Sequence, residues 1–216
     1  MSCKLTYFAV GGRAFSIRAL LAHANFSFED VRMTFDDWPA FKPETPMGSM
    51  PIWEEDGFQM VNAKAILRML GIRLGYYTED PNVAYKIDSL VEYLDGLADI
   101  HSGYILPSIQ SGTFDESKGR DYIAAVWDKM LPILEARLEK HGQDWIGGTE
   151  TISIVDFKVG QLLYGATSMN PECKMPPLLK SDISNKIKMN PKFSAWYQRF
   201  TTAMQPFIDT QQNTPV

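Results

Sequence analysis

The sequence predicts a mixed α/β domain followed by an all-helical domain. Residues 1–76 alternate short β-prone runs with amphipathic helical segments, separated by turns rich in glycine and proline. In residues 83–216, apolar side chains recur at three- and four-residue steps over long segments, which is typical of packed helices. Residues 77–82 (YTEDPN) are polar and contain proline, so we expect them to link the two domains.

Composition limits the classes of partner. With 216 residues, the chain is long enough to bury a sizeable core. The net charge is -5 and the lysines and arginines are scattered, whereas nucleic acids and anionic membranes require a concentrated basic surface. No apolar run approaches the roughly 18 residues that span a bilayer, and the first residues lack the pattern of a signal peptide. We therefore expect no nucleic acid partner, no membrane association and a cytoplasmic location.

The first predicted strand, residues 5–8 (LTYF), runs into Gly11 and Gly12, and an amphipathic helix follows from Arg13. Open α/β sheets bind ligands where a strand ends and a helix begins. Tyr7 lies at that point, so its hydroxyl is our leading candidate for contact with a ligand. The alternative interpretation is an ordinary aromatic side chain of the core.

Local signals predict the remaining elements of the first domain. Residues 26–34 have the β-formers of a second strand, and residues 38–46 form an irregular stretch rich in proline. A third strand is predicted over residues 50–53, and a tight turn leads from it to a fourth strand over residues 58–61. Asn62 suits the N-cap of the helix that follows.

Four segments predict helices of the second domain. Residues 84–98 and 123–138 each carry an apolar stripe, and the second of these ends before Gly142. Residues 153–156 (SIVD) have the form of a capping box, in which a serine and an aspartate satisfy each other's backbone amides. The helix that they start is too apolar to be exposed, so we expect it at the centre of the domain. A last helix is predicted around residues 193–200.

Several common catalytic motifs are absent from the sequence: the nucleophile elbow, the phosphate-binding glycine loop, H-E-x-x-H and C-x-x-C. The histidines His23, His101 and His141 lie far apart, so no metal site is predicted. The cysteines, Cys3 and Cys173, are too few for a disulfide framework or a four-ligand zinc site, which favours a reducing setting.

Seven short motifs follow one another in the first domain. They are residues 5–8 (LTYF), 12–14 (GRA), 17–18 (IR), Trp38, 42–43 (KP), 50–52 (MPI) and 65–68 (AILR). In order and spacing they resemble cytosolic glutathione transferases of the tyrosine-type classes, most of all the sigma-like branch, and the resemblance extends over the whole chain. It implies a thioredoxin-like α/β domain with an all-α domain, a homodimer, a role in detoxification, and glutathione as co-substrate without a further cofactor.

The resemblance implies that Tyr7 stabilises the thiolate of glutathione. A free thiol has a pKa of about 8.5, so only a few per cent is ionised at neutral pH. Lowering that pKa by about two units requires roughly 2.7 kcal/mol. One charge-assisted hydrogen bond of about 1.5–3 kcal/mol supplies most of this energy. Arg13, at the start of the first helix, would line the glutathione pocket or serve the interface between the domains.

The resemblance also implies contacts along the tripeptide. Met50 and Pro51, joined by a cis peptide bond, would present backbone to the cysteinyl unit, while Trp38 and Lys42 would hold the glycine carboxylate. From the residues alone, Met50 and Pro51 are equally consistent with a simple turn, and Trp38 and Lys42 with loop packing and a solvated charge. Two further residues belong to the predicted glutathione site: Phe8 and Ser49.

The sequence departs from the family pattern at the γ-glutamyl end of glutathione. Asn62 and Ala63 stand where the family has glutamine and serine, so one hydroxyl is lost, although a helix N-terminus still attracts an anion. Losing such a hydrogen bond costs about 1–3 kcal/mol. Gly96 replaces an acid that would receive the γ-glutamyl ammonium. Asp95 is included in the predicted site as the neighbouring acid, although it points about 100° away around the helix.

We expect a hydrophobic electrophile to bind in an apolar cleft between the domains, with His101, Tyr104 and Ile105 in its wall. The predicted function is that of a glutathione transferase, with isomerase or peroxidase chemistry as a variant activity. The alternative is a non-catalytic relative, a structural or ligand-binding protein like the lens crystallins of this fold. The changes at the γ-glutamyl end favour that alternative, and Tyr7 argues against it.

Overall fold

The chain begins with a four-stranded mixed sheet. The structure is a computed structural model and describes residues 3–105, 107–108, 111–167, 169 and 175–211. The strands are β1 (Cys3–Phe8), β2 (Glu29–Met33), β3 (Ile52–Glu55) and β4 (Phe58–Val61), arranged in the order β2-β1-β3-β4. Strands β1 and β2 are parallel, whereas β3 is antiparallel to both β1 and β4. The predicted fourth strand is confirmed, and the predicted second strand is shorter than expected.

The third strand begins later than predicted. Pro51 lacks the amide hydrogen that a sheet ladder needs, so the first paired residue is Ile52, opposite Thr6 on β1 and Val61 on β4. The strand then continues to Glu55 instead of ending at Trp53. Pairing with β1 therefore sets the limits of this strand. Local β-propensity alone placed the strand two residues too early.

Three helices accompany the sheet. They are α1 (Phe15–His23), which follows one 3-10 turn at Gly12–Ala14, α2 (Trp38–Phe41) and α3 (Ala63–Leu74). The proline-rich stretch is more regular than predicted, because α2 continues into two 3-10 turns, Lys42–Glu44 and Pro46–Gly48. In each of these short elements a proline occupies the first turn, where its missing amide hydrogen costs no helical bond.

The remaining elements of the described chain are helical, as predicted. They are α4 (Pro81–Ile100), α5 (Glu116–Tyr122), α6 (Asp128–His141), α7 (Ile154–Ala166), α8 (Pro177–Lys188) and α9 (Pro191–Thr210). A π turn at His101–Ile105 extends α4, and a second one at Ile123–Trp127 joins α5 to α6. Helices α5 and α8 were not predicted. No helix of the described residues is long and apolar enough to cross a membrane.

Helix α4 begins inside the segment that was expected to be a linker. The Asp80 side chain accepts hydrogen bonds from the amides of Asn82 and Val83, and Pro81 occupies the first helical position. This combination of an aspartate N-cap and a following proline starts the helix at Pro81, two residues before the expected start of the helical domain at residue 83. The division into domains at residues 76 and 83 stays a prediction.

Helix α7 lies at the centre of the helical region, as predicted. Twelve of its residues are buried, and the capping box of Ser153 and Asp156 is present. The fully buried Asp156 carboxylate accepts from the Ser153 amide (2.9 Å) and hydroxyl (2.8 Å), the Ile146 amide (3.0 Å) and the Trp196 indole (2.8 Å). Burial raises the pKa of Asp156, against the effect of these four donors. The carboxylate therefore connects the preceding loop, α7 and α9.

Asp156→Ala should destabilise the fold by about 3 kcal/mol or more, because it leaves several buried donors without an acceptor. Asp115→Ala is the matched control, since Asp115 is an exposed N-cap whose side chain, among the described residues, accepts only from the Lys118 amide (2.8 Å). Its loss should cost about 1 kcal/mol. Urea denaturation measures both free energies of unfolding. Equal losses in the two variants would contradict the proposed role of Asp156 as a connection between three elements.

Candidate active site

Tyr7 is held at the end of an internal strand. It lies on β1 between β2 and β3, and only 8% of its surface is exposed. The phenol oxygen accepts a hydrogen bond from the Arg13 amide over 3.2 Å. Within the described residues, the phenol proton has no acceptor. The strand end thus places a hydroxyl that can donate a hydrogen bond to a ligand, as the sequence predicted for this position.

Gly12 makes the close approach between Tyr7 and the following turn geometrically feasible. Its φ is +44°, a backbone conformation that residues other than glycine rarely adopt. A Cβ atom on Gly12 would lie 2.8 Å from the Tyr7 oxygen, which is closer than van der Waals contact permits. Glycine is therefore required both for the turn and for the space around the phenol.

Burial raises the pKa of Tyr7. The Arg13 amide and the positive charges of Arg13 and Arg18 act in the opposite direction, and the Arg18 guanidinium lies 5.9 Å from the centre of the phenol ring. Since the net shift is upward, the phenol keeps its proton at neutral pH. Tyr7 can therefore act as a hydrogen-bond donor and not as a base.

A cavity of about 250 Å³ opens beside the Tyr7 hydroxyl. Its lining combines residues of the first turn with residues of α4 and α7, and most of the surface is apolar. The lining residues are Tyr7, Phe8, Val10, Gly12, Arg13, Phe35, Ala98, His101, Ser102, Gln161, Leu162, Tyr164 and Gly165. The predicted apolar cleft between the sheet region and the helices thus has a counterpart in the structure.

His101 contributes to this cavity without carrying charge. Its Nδ1 lies 2.9 Å from the Tyr122 hydroxyl, and burial lowers the pKa of the imidazole to about 4. The ring is consequently neutral at physiological pH and compatible with an apolar surrounding. The other two residues predicted for the cleft wall, Tyr104 and Ile105, have side chains outside the described part of the chain.

Asp95 is engaged by three cations. Its carboxylate accepts from Lys158 (2.6 Å) and lies 3.3 Å from the Lys64 ammonium and 3.5 Å from the Arg13 guanidinium. Burial acts to raise the pKa of Asp95, but these cations bring it below its usual value. Arg13 is also paired with Asp99. The predicted acid is present near the site, but both of its oxygens already have positive partners.

Asn62 caps α3 with its own side chain. Its carboxamide oxygen accepts from the amides of Lys64 (3.2 Å) and Ala65 (3.4 Å), which confirms the predicted N-cap. The same amides form the anion-attracting end of this helix. The Ala63 side chain, buried at the first helical position, adds no polar group. An anion at this helix end therefore competes with Asn62 for two of its donors.

The other end of the predicted glutathione site retains free donors. The Trp38 ring contacts Phe8 edge to face at 5.8 Å, and the exposed Lys42 extends along Gly48. Neither the Trp38 indole nitrogen nor the Lys42 ammonium has a partner within the part of the chain that the structure describes. Both groups therefore remain able to bind an anion.

The segment that leads into β3 has the predicted backbone conformation. The Met50–Pro51 peptide bond is cis. Ser49 is extended and half-buried, and Met50 lies two residues before Ile52, the first residue of β3. The Met50 main chain is thus outside the paired part of the sheet.

Sequence reasoning missed Lys158 and Gln161 on α7 and Lys64 on α3. Two of them carried a recognisable signal, because Lys158 and Gln161 are long polar residues within a helix that was otherwise predicted to be buried. A buried lysine requires an anionic partner. That partner, Asp95, lies 63 positions away in the sequence, and only the packing of α4 on α7 shows the pairing.

A four-stranded sheet of this thioredoxin-like kind, followed by a helical region with a cavity between them, defines the class of proteins with the glutathione transferase fold. Residues 3–71 match the family model of the glutathione S-transferase N-terminal domain. The chain is 30% identical over 196 residues to Glutathione S-transferase 1 of Ascaris suum, covering 89% of this chain and 94% of that protein. The chain therefore belongs to the glutathione S-transferase family.

Two further comparisons agree with this assignment. Hematopoietic prostaglandin D synthase of Gallus gallus is 39% identical over 92 residues, which cover 43% of this chain and 46% of that protein. The solved structure of NaGST-2 is similar with a TM-score of 0.79 at 25% identity, covering 97% of this chain and 96% of that chain.

Gly12→Ala should reduce glutathione-dependent activity at least about tenfold, because the added methyl group displaces the Tyr7 hydroxyl by more than a tight site tolerates. Gly57→Ala is the matched control, since its φ is +79° and no atom lies within 4 Å of the added carbon. Both variants should lose roughly 1–2 kcal/mol of stability. Steady-state kinetics and thermal unfolding separate the two effects. An active Gly12→Ala variant would contradict the spatial constraint on Tyr7.

Proposed function

We propose that this chain is a catalytically active glutathione transferase in which Tyr7 stabilises the thiolate of glutathione. The observation that carries the proposal is the geometry of the phenol. Its oxygen accepts from the Arg13 amide while its proton has no acceptor among the described residues, and it borders an apolar cavity. Accepting one hydrogen bond polarises a hydroxyl and makes it a better donor to an anion.

The surrounding charges support an anionic sulfur. The Arg18 guanidinium, which is also paired with Asp30 over 3.0 Å, lies under the Tyr7 ring, and Arg13 lines the cavity itself. Arg13 has two carboxylate neighbours, Asp99 and Asp95. They offset only part of its charge, because Asp99 is 57% exposed to solvent and Asp95 is shared with two lysines. In a site with little water, such charges and donors act more strongly on a developing anion than they do in bulk solvent.

The glycine end and the cysteinyl unit have matching groups. We assign the unpaired Trp38 indole and Lys42 ammonium to the glycine carboxylate, since a carboxylate accepts from both kinds of donor. The Met50 main chain, with Ser49 before it and Pro51 after it, would pair with the extended cysteinyl unit. Its position beyond the paired part of β3 leaves room for such a contact.

The γ-glutamyl end is the weakest part of the proposed site. Asn62 occupies the amides of Lys64 and Ala65, so the carboxylate of the substrate binds through the Ala63 amide or displaces the cap. We do not expect Asp95 to bind the γ-glutamyl ammonium as a free acid, because its carboxylate is already paired with lysine and arginine side chains. We therefore expect glutathione affinity to be limited at this end.

The finer assignments belong to the same proposal. We place the chain in the tyrosine-type, sigma-like branch, and the similarity to a prostaglandin D synthase supports isomerase chemistry as a variant activity. A hydrophobic electrophile would occupy the cavity near His101. Family membership supports a cytoplasmic homodimer that acts in detoxification. The departures at the γ-glutamyl end are the observation that favours the non-catalytic, crystallin-like alternative, which is an outcome of the following test.

Tyr7→Phe should lower kcat/KM for conjugation of glutathione with 1-chloro-2,4-dinitrobenzene roughly 10- to 150-fold, the value of one hydrogen bond to a charged sulfur. Retention on glutathione-agarose should persist, because the rest of the tripeptide keeps its contacts. Tyr164→Phe is the matched control: this tyrosine lines the same cavity, but its hydroxyl donates to the Gln211 carbonyl over 3.4 Å. Its activity should stay within about twofold of the wild type.

Two results would count against the proposal, and they differ in meaning. A wild-type chain that neither binds nor conjugates glutathione would support the non-catalytic alternative. Full activity of Tyr7→Phe would leave the enzyme assignment intact but remove Tyr7 from its role, and Thr6 would then be the next candidate.

Ala63→Ser should lower the KM for glutathione roughly 2- to 12-fold, because a hydroxyl at the first position of α3 adds one hydrogen bond to the γ-glutamyl carboxylate. The value of kcat should change little, since this contact is remote from the sulfur. Ala65→Ser is the matched control, as it adds the same hydroxyl about 200° away around the helix. An unchanged KM in Ala63→Ser would place the γ-glutamyl group elsewhere.

A further inference from the structure

The carboxamide of Gln161 has a fixed orientation. Its oxygen lies 3.3 Å from the Lys158 ammonium and 3.3 Å from the Ser16 hydroxyl. A lysine ammonium can only donate hydrogen bonds, so the carboxamide atom that faces it must be the oxygen. Lys158 is itself held by Asp95 over 2.6 Å and is only 1% exposed, so the amide is anchored to a buried ion pair.

The amide nitrogen of Gln161 is the other branch of the same planar group. Gln161 is 9% exposed and lines the cavity beside Tyr7, whereas Lys158 and Ser16 do not line it. Among the described residues the nitrogen has no hydrogen-bond partner. It is also not sealed from solvent, in contrast to the indole nitrogen of Trp127. An N–H donor with no partner among the described residues therefore belongs to a side chain that lines a largely apolar cavity.

Three other polar side chains of the cavity wall each make a hydrogen bond within the protein, whereas the Tyr7 proton, like the Gln161 nitrogen, has no partner among the described residues. The Ser102 hydroxyl donates to the Ala98 carbonyl (2.9 Å), and the Tyr164 hydroxyl donates to the Gln211 carbonyl (3.4 Å). His101 bonds to Tyr122 through Nδ1. Because solvent reaches the Gln161 nitrogen, a ligand that displaces this solvent from the cavity must supply an acceptor in its place or leave the donor unpaired.

We propose that Gln161 is a specificity-determining residue, whose amide nitrogen donates a hydrogen bond to a carbonyl or nitro oxygen of an otherwise apolar ligand. This inference rests on the proposed function, in which the cavity receives the electrophile. Lys158 is the positioning residue, because it fixes the carboxamide oxygen away from the cavity. Apolar contacts with Phe8, Phe35 and Leu162 supply most of the binding, and Gln161 selects the ligands that carry an oxygen acceptor.

The test compares benzophenone with diphenylmethane, which have similar shapes and differ in the carbonyl oxygen. Neither compound is conjugated by glutathione, so binding is measured independently of any transferase activity. Titration calorimetry gives the ratio of the two affinities in each variant. Replacing Gln161 by methionine should lower the benzophenone preference about fivefold while leaving the diphenylmethane affinity within about twofold of the wild type.

Two further variants make the result interpretable. Ser102→Ala is the matched control, and its ratio should equal that of the wild type because that hydroxyl is already bonded to backbone. Gln161→Glu keeps an oxygen for Lys158 and Ser16 but removes the donor, so it should also lose the preference. If Gln161→Met no longer binds diphenylmethane, the ratio of the benzophenone and diphenylmethane affinities in Gln161→Glu tests the assignment instead.

A wild-type ratio in Gln161→Glu, or in a Gln161→Met variant that still binds diphenylmethane, would overturn the assignment. A loss of preference in these variants together with absent glutathione conjugation would keep the ligand site and refute the proposed function instead.

Discussion

The contact between the Gly12 turn and the Tyr7 hydroxyl is the constraint on which the site depends. Strand β1 must end, the chain must turn at Gly12 with a positive φ, and the Arg13 amide must then point back toward the Tyr7 phenol. Each condition is local in sequence, since only six positions separate donor and acceptor. The helical region adds the opposite wall of the cavity into which this polar strand end opens.

A buried ion pair ties that local arrangement to the rest of the molecule. Asp95 on α4 binds Lys158 on α7 and approaches Arg13 and Lys64 of the sheet region. Burial lowers the pKa of Lys158, while Asp95 acts to keep it charged. Such pairs contribute little net stability, because desolvation offsets the attraction. They do penalise every arrangement that separates the partners, and this pair therefore fixes how α4 and α7 meet the first turn.

The features that the sequence predicted correctly depend on residues close to one another in the chain. The fourth strand, the Asn62 cap and the capping box before α7 follow from turn and cap chemistry within a few positions. The later start of β3 was missed because its limits depend on pairing with β1. The roles of Lys158 and Gln161 were missed for a related reason. A polar residue in an apolar helix has no evident function until its partner from another helix is known.

The central claim is that this environment ionises the thiol of glutathione. The most direct measurement is the ultraviolet absorbance of the thiolate in the binary complex with glutathione, titrated against pH without an electrophile. If Tyr7 stabilises the thiolate, the pKa of the bound thiol should lie about two units below the free value of about 8.5. A bound thiol that titrates at the free value would contradict it, because the hydroxyl of Tyr7 would then have no effect on the sulfur.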